Sequence, residues 1–218
     1  MLRQLYNGNF AVKIKALFLG LVVLSPISGM AATKTPSDTV NEAAERIMGQ
    51  VEKRRSEFES NPVALHSYAL EEIEKLIDKD RAARLTLGVY ARSATPQEIT
   101  TFGNALSRNL AARYGQAVLD FDGKIPIRIL SENPLPQNRG VKISTLSKRK
   151  DGKDVSVDYF AREVGGSWRV FDVQIEGFSY SMTLKNMFAE DLRAKSITQV
   201  SADLDKNTDK MLANAKKK

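Results

Sequence analysis

The spacing of hydrophobic residues changes near the middle of the chain, from the 3.6-residue period of a helix to the two-residue period of a strand. In the first half, apolar side chains recur every three or four positions, most clearly from Ile99 to Phe121. Thr95-Pro-Gln-Glu98 precedes that stripe and is a capping box, a usual helix start. Helical spacing returns after Phe178. The pattern predicts about six helices, at 38–59, 62–77, a short stretch ending near 88, 95–120, 181–195 and 198–215.

Between these segments, four stretches alternate apolar and polar residues as strands do. Asp151-Gly152 and Gly165-Gly166 are typical two-residue hairpin turns. Pro126 favours an edge position for the first strand, because proline cannot donate to a ladder. We therefore expect an α+β fold, in which a twisted four-stranded antiparallel meander packs with about six helices. The predicted strands lie at about 125–129, 141–149, 155–164 and 168–176.

The two turns also predict a register for the sheet. The glycine turn between the last two strands places Phe160 opposite Phe171. It also places Tyr159 opposite Asp172. The earlier turn places Ile143 opposite Phe160, and a shift of one residue would exchange the two faces. One face would then carry Val141, Ile143, Phe160, Phe171, Val173 and Ile175, and the other Leu146, Val157, Tyr159, Ala161, Trp168 and Val170.

The last strand, Trp168–Glu176, is apolar along one whole side and along the first half of the other. Such a strand is covered on both faces for part of its length. No catalytic nucleophile, metal-ligand cluster or phosphate-binding loop accompanies it in the sequence. The pattern favours a protein that encloses an apolar interior over an enzyme.

Residues 1–31 have the features of a secretory signal peptide. The segment starts with basic residues and contains no acidic one. An apolar run from Ala16 to Leu24 follows, which is too short to span a bilayer. Gly29-Met30-Ala31 offers small residues for cleavage after Ala31. We expect a cleaved leader, an exported protein and a single domain over 32–218.

The composition excludes several functional classes. The chain has no cysteine and a single histidine, His66, which removes disulfides, thiolate catalysis and histidine-rich zinc sites. Its net charge is +7, and loss of the three basic residues of the leader leaves 30 basic against 26 acidic residues, a net charge of +4. No basic–aromatic patch indicates nucleic-acid binding. We expect no metal, cofactor or catalytic residue, and the lack of a sustained heptad pattern favours a monomer.

Three stretches of the chain are informative as an ordered set. They are 87–114, which contains the capping box and Phe102; Val155-Ser-Val-Asp-Tyr159; and Trp168-Arg-Val-Phe-Asp172 with Glu176-Gly-Phe-Ser179. Their order and spacing resemble the MlaC family of periplasmic phospholipid-binding proteins, also called the toluene-tolerance family. The chain departs from many relatives at Tyr180 to Lys185, where they carry an Asn-Tyr-Arg-like stretch and this sequence has Ser181-Met-Thr-Leu-Lys185.

The resemblance implies an α+β fold around a deep apolar cavity and a periplasmic carrier that is not an enzyme. Such a carrier binds phospholipid by its acyl chains. It shuttles lipid between an outer-membrane lipoprotein–porin complex and an inner-membrane ABC transporter complex with its periplasmic lipid-binding subunit, which maintains outer-membrane lipid asymmetry. The resemblance and the apolar stripes together indicate ten candidates for the cavity lining. They are Phe102, Leu106, Leu110, Tyr114, Val141, Ile143, Phe160, Phe171, Val173 and Ile175.

Two alternatives remain open from the residues. A small cone-shaped α+β enzyme, such as an isomerase or dehydratase, could use Tyr159 and Asp172 as acid and base. An Asp172 exposed in a polar pocket would favour that enzyme, whereas an Asp172 buried against Tyr159 would indicate a structural hydrogen bond. A periplasmic protein-binding or chaperone module would instead need an exposed apolar groove.

Overall fold

The structure, a computed structural model, describes residues 34–120, 127–148 and 153–215. A helical first half leads into a β-sheet, and a helical C-terminal part follows. The helices are α1 (Pro36–Lys53), α2 (Arg55–Ser60), α3 (Pro62–Leu76), α4 (Lys79–Leu87), α5 (Pro96–Tyr114), α6 (Tyr180–Met187), α7 (Ala189–Ala194) and α8 (Ile197–Ala215). The strands are β1 (Ile127–Pro134), β2 (Val141–Lys148), β3 (Asp154–Val164), β4 (Ser167–Ile175) and β5 (Phe178–Ser179).

The strands form one antiparallel sheet in sequence order, so the α+β fold class and the meander are confirmed. β5 is a two-residue addition, in which Phe178 pairs with Ile175. Glu176 and Gly177, both at positive φ, reverse the chain between these two residues. The predicted turn at Gly165-Gly166 is also confirmed, and both glycines have the positive φ that a two-residue hairpin turn favours.

Within the described residues the six expected helices become eight, because two of them are broken at a single residue. Arg54 separates α1 from α2, and Phe188 separates α6 from α7. The ring of Phe188 is buried and packs nearly perpendicular to the ring of Phe102, with the two centroids 5.8 Å apart. The apolar stripe continues on both sides of each break, so periodicity alone does not reveal it. α5 also ends earlier than expected, at Tyr114, and a 3-10 turn at Gly115–Asp120 follows.

The start of α5 follows the capping chemistry that its sequence predicts. The backbone N–H of Glu98 donates to the Thr95 hydroxyl at 3.2 Å, and the backbone N–H of Thr95 donates to the Glu98 carboxylate at 2.9 Å. Thr35 and Asp38 form the same reciprocal pair at the start of α1. Each box satisfies amide groups that the first turn of a helix leaves without an intrahelical partner.

The register between β2 and β3 differs by one residue from the expected one. Ile143 pairs with Tyr159 rather than with Phe160. Lys148 pairs with Asp154, so the connection is longer than the two-residue loop that the sequence indicated, and the residues of that loop lie outside the described ranges. Because side chains alternate along a strand, this shift moves Phe160 away from the face of Ile143.

A β-bulge in β4 alters the second register. Ala161 pairs with Val170, as the glycine turn predicts, but Phe160 pairs with Asp172. Phe171 is therefore the extra residue of the bulge, and it has no single partner on β3. The expected pairing of Phe160 with Phe171 is thus wrong, although their rings still lie 6.4 Å apart.

The bulge also overturns the expected pairing of Tyr159 with Asp172, because Tyr159 lies opposite Val173. One face of the sheet now carries side chains that the sequence had divided between two faces. This inner face packs against Val40 of α1 and Leu76 and Ile77 at the end of α3. Its main residues are Ile129, Val141, Ile143, Tyr159, Ala161, Trp168, Val170 and Val173.

Two further groups of buried side chains hold the helices together. The first joins α4, α5, α6, α7 and α8 around Phe102 and Leu106. The second joins α1, α2 and α3, where the rings of Phe58 and Tyr68 stack at 5.3 Å. The packed side chains of the described residues therefore form three clusters, of which only the sheet cluster joins helices to the sheet, through α1 and the end of α3.

Gly140, at the entrance to β2, tests the chain path beside β3. It has a φ of +131°, and a Cβ added there would lie 2.2 Å from the backbone oxygen of Ala161. We expect Gly140→Ala to lower the free energy of unfolding by about 2 kcal/mol or more. Gly49→Ala is the control, because Gly49 lies in α1 with open space around it. That change should raise stability by about 0.5–1 kcal/mol, and equal melting temperatures for the two variants would contradict the structure.

Candidate functional site

An apolar cavity of about 540 Å³ lies between α1, α3, α5 and β4. We call it the central cavity. α3 contributes more residues to its wall than any other element, and Leu110 and Ala111 of α5 also line it. Its lining comprises Ile47, Leu65, Tyr68, Ala69, Glu72, Ile73, Leu76, Ile77, Leu110, Ala111, Gly115, Val118, Ile175 and Tyr180.

Two further apolar cavities adjoin the central one. The sheet cavity, of about 430 Å³, lies between α1 and the sheet, and shares Ile47, Leu76, Val118 and Ile175 with the central cavity. The inner cavity, of about 200 Å³, lies between α4, α5, α6 and β4, and shares Ile73, Ile77, Leu110 and Tyr180. Because neighbouring cavities share lining residues, they lie next to each other. The three cavities thus form an adjoining set between the helices and the sheet.

The cavities reach the surface beside Ile175. This side chain lines both the central and the sheet cavity and is 49% exposed. Phe178, its partner on β5, is 77% exposed, and Met182 in the first turn of α6 is 51% exposed. Ile175 and its neighbour Phe178 thus expose large apolar side chains beside the cavities, as expected where an apolar molecule passes between solvent and an interior.

Among the described residues, the wall of the central cavity contains one charged group, Glu72. Glu72 is only 5% exposed, and its carboxylate accepts hydrogen bonds from Arg46 at 2.9 Å and Lys75 at 3.1 Å. Burial acts to raise the pKa of Glu72, but the hydrogen bonds and charges of these two cations outweigh it and hold the pKa below its ordinary value. Burial, reinforced by the charge of Glu72, raises the pKa of Tyr68 to about 12. Glu72 is thus ion-paired and Tyr68 neutral, which suits an interior that holds hydrocarbon.

The carboxylate of Asp172 has a structural role at the start of α6. It accepts hydrogen bonds from the Ser179 hydroxyl at 2.7 Å, the Ser181 backbone N–H at 3.0 Å and the Val173 backbone N–H at 2.9 Å. The proposed acid–base pair is therefore not formed. Tyr159 instead lines the sheet cavity, where burial raises its pKa.

The ten cavity candidates divide into three groups. Leu106, Leu110, Phe171, Val173 and Ile175 line one or more of the apolar cavities. Phe102 and Ile143 are fully buried in packed cores, Val141 borders a separate polar pocket, and Phe160 contacts Phe171 from the face opposite Ile143. The side chain of Tyr114 lies outside the described part of the structure.

The candidates omitted α3, which contributes more lining residues to the central cavity than any other element. Its apolar side, with Leu65, Tyr68, Ile73, Leu76 and Ile77, is visible as helical spacing in the sequence. That spacing shows which side of a helix is covered. It does not show whether the covering is close-packed side chains or an open cavity.

The described residues contain no group of three or more His, Asp or Glu side chains arranged to hold a metal ion. None of the helices within the described ranges is both long and apolar enough to cross a membrane.

Known proteins resemble this chain over most of its length. The family described as MlaC protein matches residues 41–206. The toluene tolerance protein ttg2D of Pseudomonas putida is 26% identical over 202 residues, which are 90% of this chain and 89% of that protein. The intermembrane phospholipid transport system binding protein MlaC of Haemophilus influenzae is 23% identical over 159 residues, which are 71% of this chain and 74% of that protein.

A solved structure shares the fold. It is a phospholipid-binding protein of Ralstonia solanacearum in complex with a phospholipid, with a TM-score of 0.69. The match covers 82% of this chain and 99% of that one at 18% sequence identity. The likeness therefore concerns the arrangement of helices and strands.

The hydrogen bonds of Asp172 predict a loss of stability on neutralisation. Asp172→Asn should lower the free energy of unfolding by about 1–3 kcal/mol, because an amide oxygen replaces a charged acceptor that serves three donors. Chemical denaturation would measure it. Asp209→Asn, on the exposed side of α8, should change stability by less than about 0.5 kcal/mol. An Asp172→Asn variant as stable as the parent would show that this carboxylate does not hold α6.

Proposed function

The chain belongs to the MlaC family, and from this membership and its adjoining apolar cavities we propose that it binds phospholipid by the acyl chains and carries it in soluble form. The observation that carries the proposal is the central cavity of about 540 Å³, whose wall is almost entirely apolar and which reaches the surface beside Ile175. Ligand pockets for small molecules commonly measure about 300–1,000 Å³. The sheet and inner cavities extend the space available to hydrocarbon.

The energetics of lipid transfer explain why such an interior is needed. A phospholipid with two acyl chains has roughly 30 methylene groups, each worth about 0.8 kcal/mol, so leaving a bilayer for water costs on the order of 20 kcal/mol. A protein lowers this cost only if it surrounds the chains with an apolar environment. The headgroup can remain near the opening, where Ile175 is half exposed.

We infer the transport route with support from family membership and from the proposed export of the chain. The carrier acts in the periplasm as a monomer. It exchanges lipid with an outer-membrane lipoprotein–porin complex and with an inner-membrane ABC transporter complex that has its own periplasmic lipid-binding subunit. This exchange maintains the lipid asymmetry of the outer membrane. The printed name of the Haemophilus influenzae relative, a binding protein of an intermembrane phospholipid transport system, supports this assignment.

Carrier function requires no catalytic residue. The enzyme alternative depended on Tyr159 and Asp172 facing each other, and β3 and β4 pair them with other residues. Asp172 already serves three donors, and Glu72 is paired with two cations. These carboxylates are therefore engaged in holding the structure.

Lipid binding is tested by native mass spectrometry of protein purified from cells. We expect an added mass of about one phospholipid or a small number of them. Substitution of two alanines then distinguishes the effect of filling the cavity from the effect of overpacking the core. Ala69 lines the central cavity, whereas Ala105 on α5 is fully buried in the helical core.

Ala69→Phe should fill part of the cavity, so the protein stays folded and carries less lipid. Ala105→Phe should overpack the core and cost about 1–3 kcal/mol, with a normal lipid load in the folded fraction. Thermal unfolding and lipid per protein are the two measurements. Wild-type protein that takes up no lipid, even after incubation with vesicles, would exclude the carrier. A co-purified peptide would favour the protein-binding alternative.

Export gives a second test of the proposal. The features of residues 1–31 predict cleavage after Ala31, so the abundant form in cells should begin at Ala32 and fractionate with the periplasm. N-terminal sequencing measures this directly. Recovery of an abundant form that retains the leader would contradict a freely diffusing exported carrier.

A further inference from the structure

A polar pocket of about 530 Å³ lies apart from the three apolar cavities. Among the described residues it shares no lining side chain with them. It forms where α4, the β1–β2 connection and the β3–β4 hairpin meet. Its lining comprises Arg81, Pro134, Asn138, Arg139, Gly140, Val141, Arg162, Glu163 and Trp168, and we call it the arginine pocket.

Charge in the arginine pocket is only partly compensated. Arg162 pairs with the buried carboxylate of Asp78. Arg81 and Arg139 have no carboxylate partner within the described ranges, and Glu163 is the one acidic residue of the lining. Even if both carboxylates are counted, the three guanidinium groups leave a net positive charge in the pocket. An anion is therefore the complementary ligand.

Arg81 is held in place before any ligand binds. Its backbone N–H donates to the Asp78 carboxylate at 3.0 Å at the start of α4, and its guanidinium lies 5.4 Å from the centroid of the Phe171 ring. The Nε atom is buried and has no hydrogen-bond acceptor among the described residues. A partly desolvated guanidinium without a counter-charge is unfavourable, and a bound anion would compensate it.

The β1–β2 connection is also held in an unusual conformation beside the pocket. Gln137 and Asn138 have backbone φ values of 59° and 52°, in the left-handed region that residues other than glycine adopt uncommonly. The Nε of Arg139 donates to the Pro136 oxygen at 3.2 Å. Such conformations persist where the surrounding structure enforces them, often at binding sites. The connection thereby places Asn138 and Arg139 on the pocket wall.

We propose that the arginine pocket binds a phosphate group, supplied by an anionic phospholipid headgroup at a membrane surface. Guanidinium groups present several planar N–H donors that match the oxygens of phosphate. Trp168 adds an aromatic ring with an N–H donor, a combination common at the membrane–water interface. Only the choice of a lipid as the source rests on the proposed function. The pocket would then hold the carrier on a bilayer without occupying its apolar cavities.

The test uses purified protein and two probes that share the phosphate group. Inorganic phosphate is titrated by calorimetry, and vesicles of phosphatidylglycerol and phosphatidylcholine in equal parts are used in flotation, beside vesicles of phosphatidylcholine alone. We expect binding of phosphate and a preference for the phosphatidylglycerol vesicles. Binding of the vesicles alone identifies a lipid source, and binding of phosphate alone would overturn the membrane source while leaving the pocket as a phosphate site.

Variants that remove single charges show whether the arginine pocket is responsible for binding phosphate and the vesicles. Arg81→Gln and Arg139→Gln should each weaken binding roughly tenfold. Arg81→Lys should restore part of it, because it keeps the charge but loses the planar donors. Arg84→Gln is the matched control, since Arg84 lies on the same helix outside the pocket, and its effect should be less than about twofold. Equal losses for Arg84→Gln and Arg81→Gln, or a wild-type protein that binds neither probe, would overturn the proposal.

Two further readouts keep this test independent of folding and of carrier function. Melting temperatures show whether loss of the contact with Phe171 unfolds the Arg81→Gln variant, and Arg139→Gln on the exposed connection serves if it does. Lipid load by native mass spectrometry should be unchanged in the Arg139→Gln variant, because Arg139 lines none of the three apolar cavities. If wild-type protein carries no lipid but still binds phosphate, the proposed carrier function is rejected and the proposed phosphate site is retained.

Discussion

The C-terminal end of α3 is anchored to β4, and the apolar interior depends on this anchor. Ile77 forms a parallel bridge with Val170, and the backbone N–H of Asp78 donates to the Val170 oxygen at 2.8 Å. The Asp78 carboxylate, itself buried, pairs with Arg162 of β3. These contacts hold the helical layer on the sheet at one place. The rest of α3 presents its apolar side to the central cavity, so the two layers meet without filling the space between them.

The β-bulge of β4 connects this interior to the surface features around it. The extra residue, Phe171, lines the inner cavity and lies against Arg81 of the arginine pocket. The next residue, Asp172, holds the start of α6 and thereby Tyr180, which lines both the inner and the central cavity. A single inserted residue thus positions a cavity wall, a helix start and a cation. Bulges commonly redirect side chains in this way near functional sites.

An open apolar region is costly for a protein of this size, because side chains that line a void lose the dispersion contacts of a packed core. A hydrocarbon ligand would restore those contacts and stabilise the folded state in proportion to its occupancy. The packed clusters around Phe102 and around Phe58 and Tyr68 border the cavities, since Leu106 and Tyr68 also line cavity walls, and their fully buried members Phe102 and Phe58 hold the helices together. The structure therefore combines rigid outer packing with an interior that a ligand can fill.

Local chemistry in the sequence determined where elements begin and turn. The Thr95–Glu98 capping box and the Gly165-Gly166 turn are examples, since each depends on residues close together in the chain. The register was decided by tertiary structure, because the apolar–polar pattern of the sequence reveals neither the bulge at Phe171 nor the length of the β2–β3 connection. The cavities were decided there too. Hydrophobic periodicity shows that the apolar side of α3 is covered, but only the distance between packed layers determines whether side chains or open space cover it.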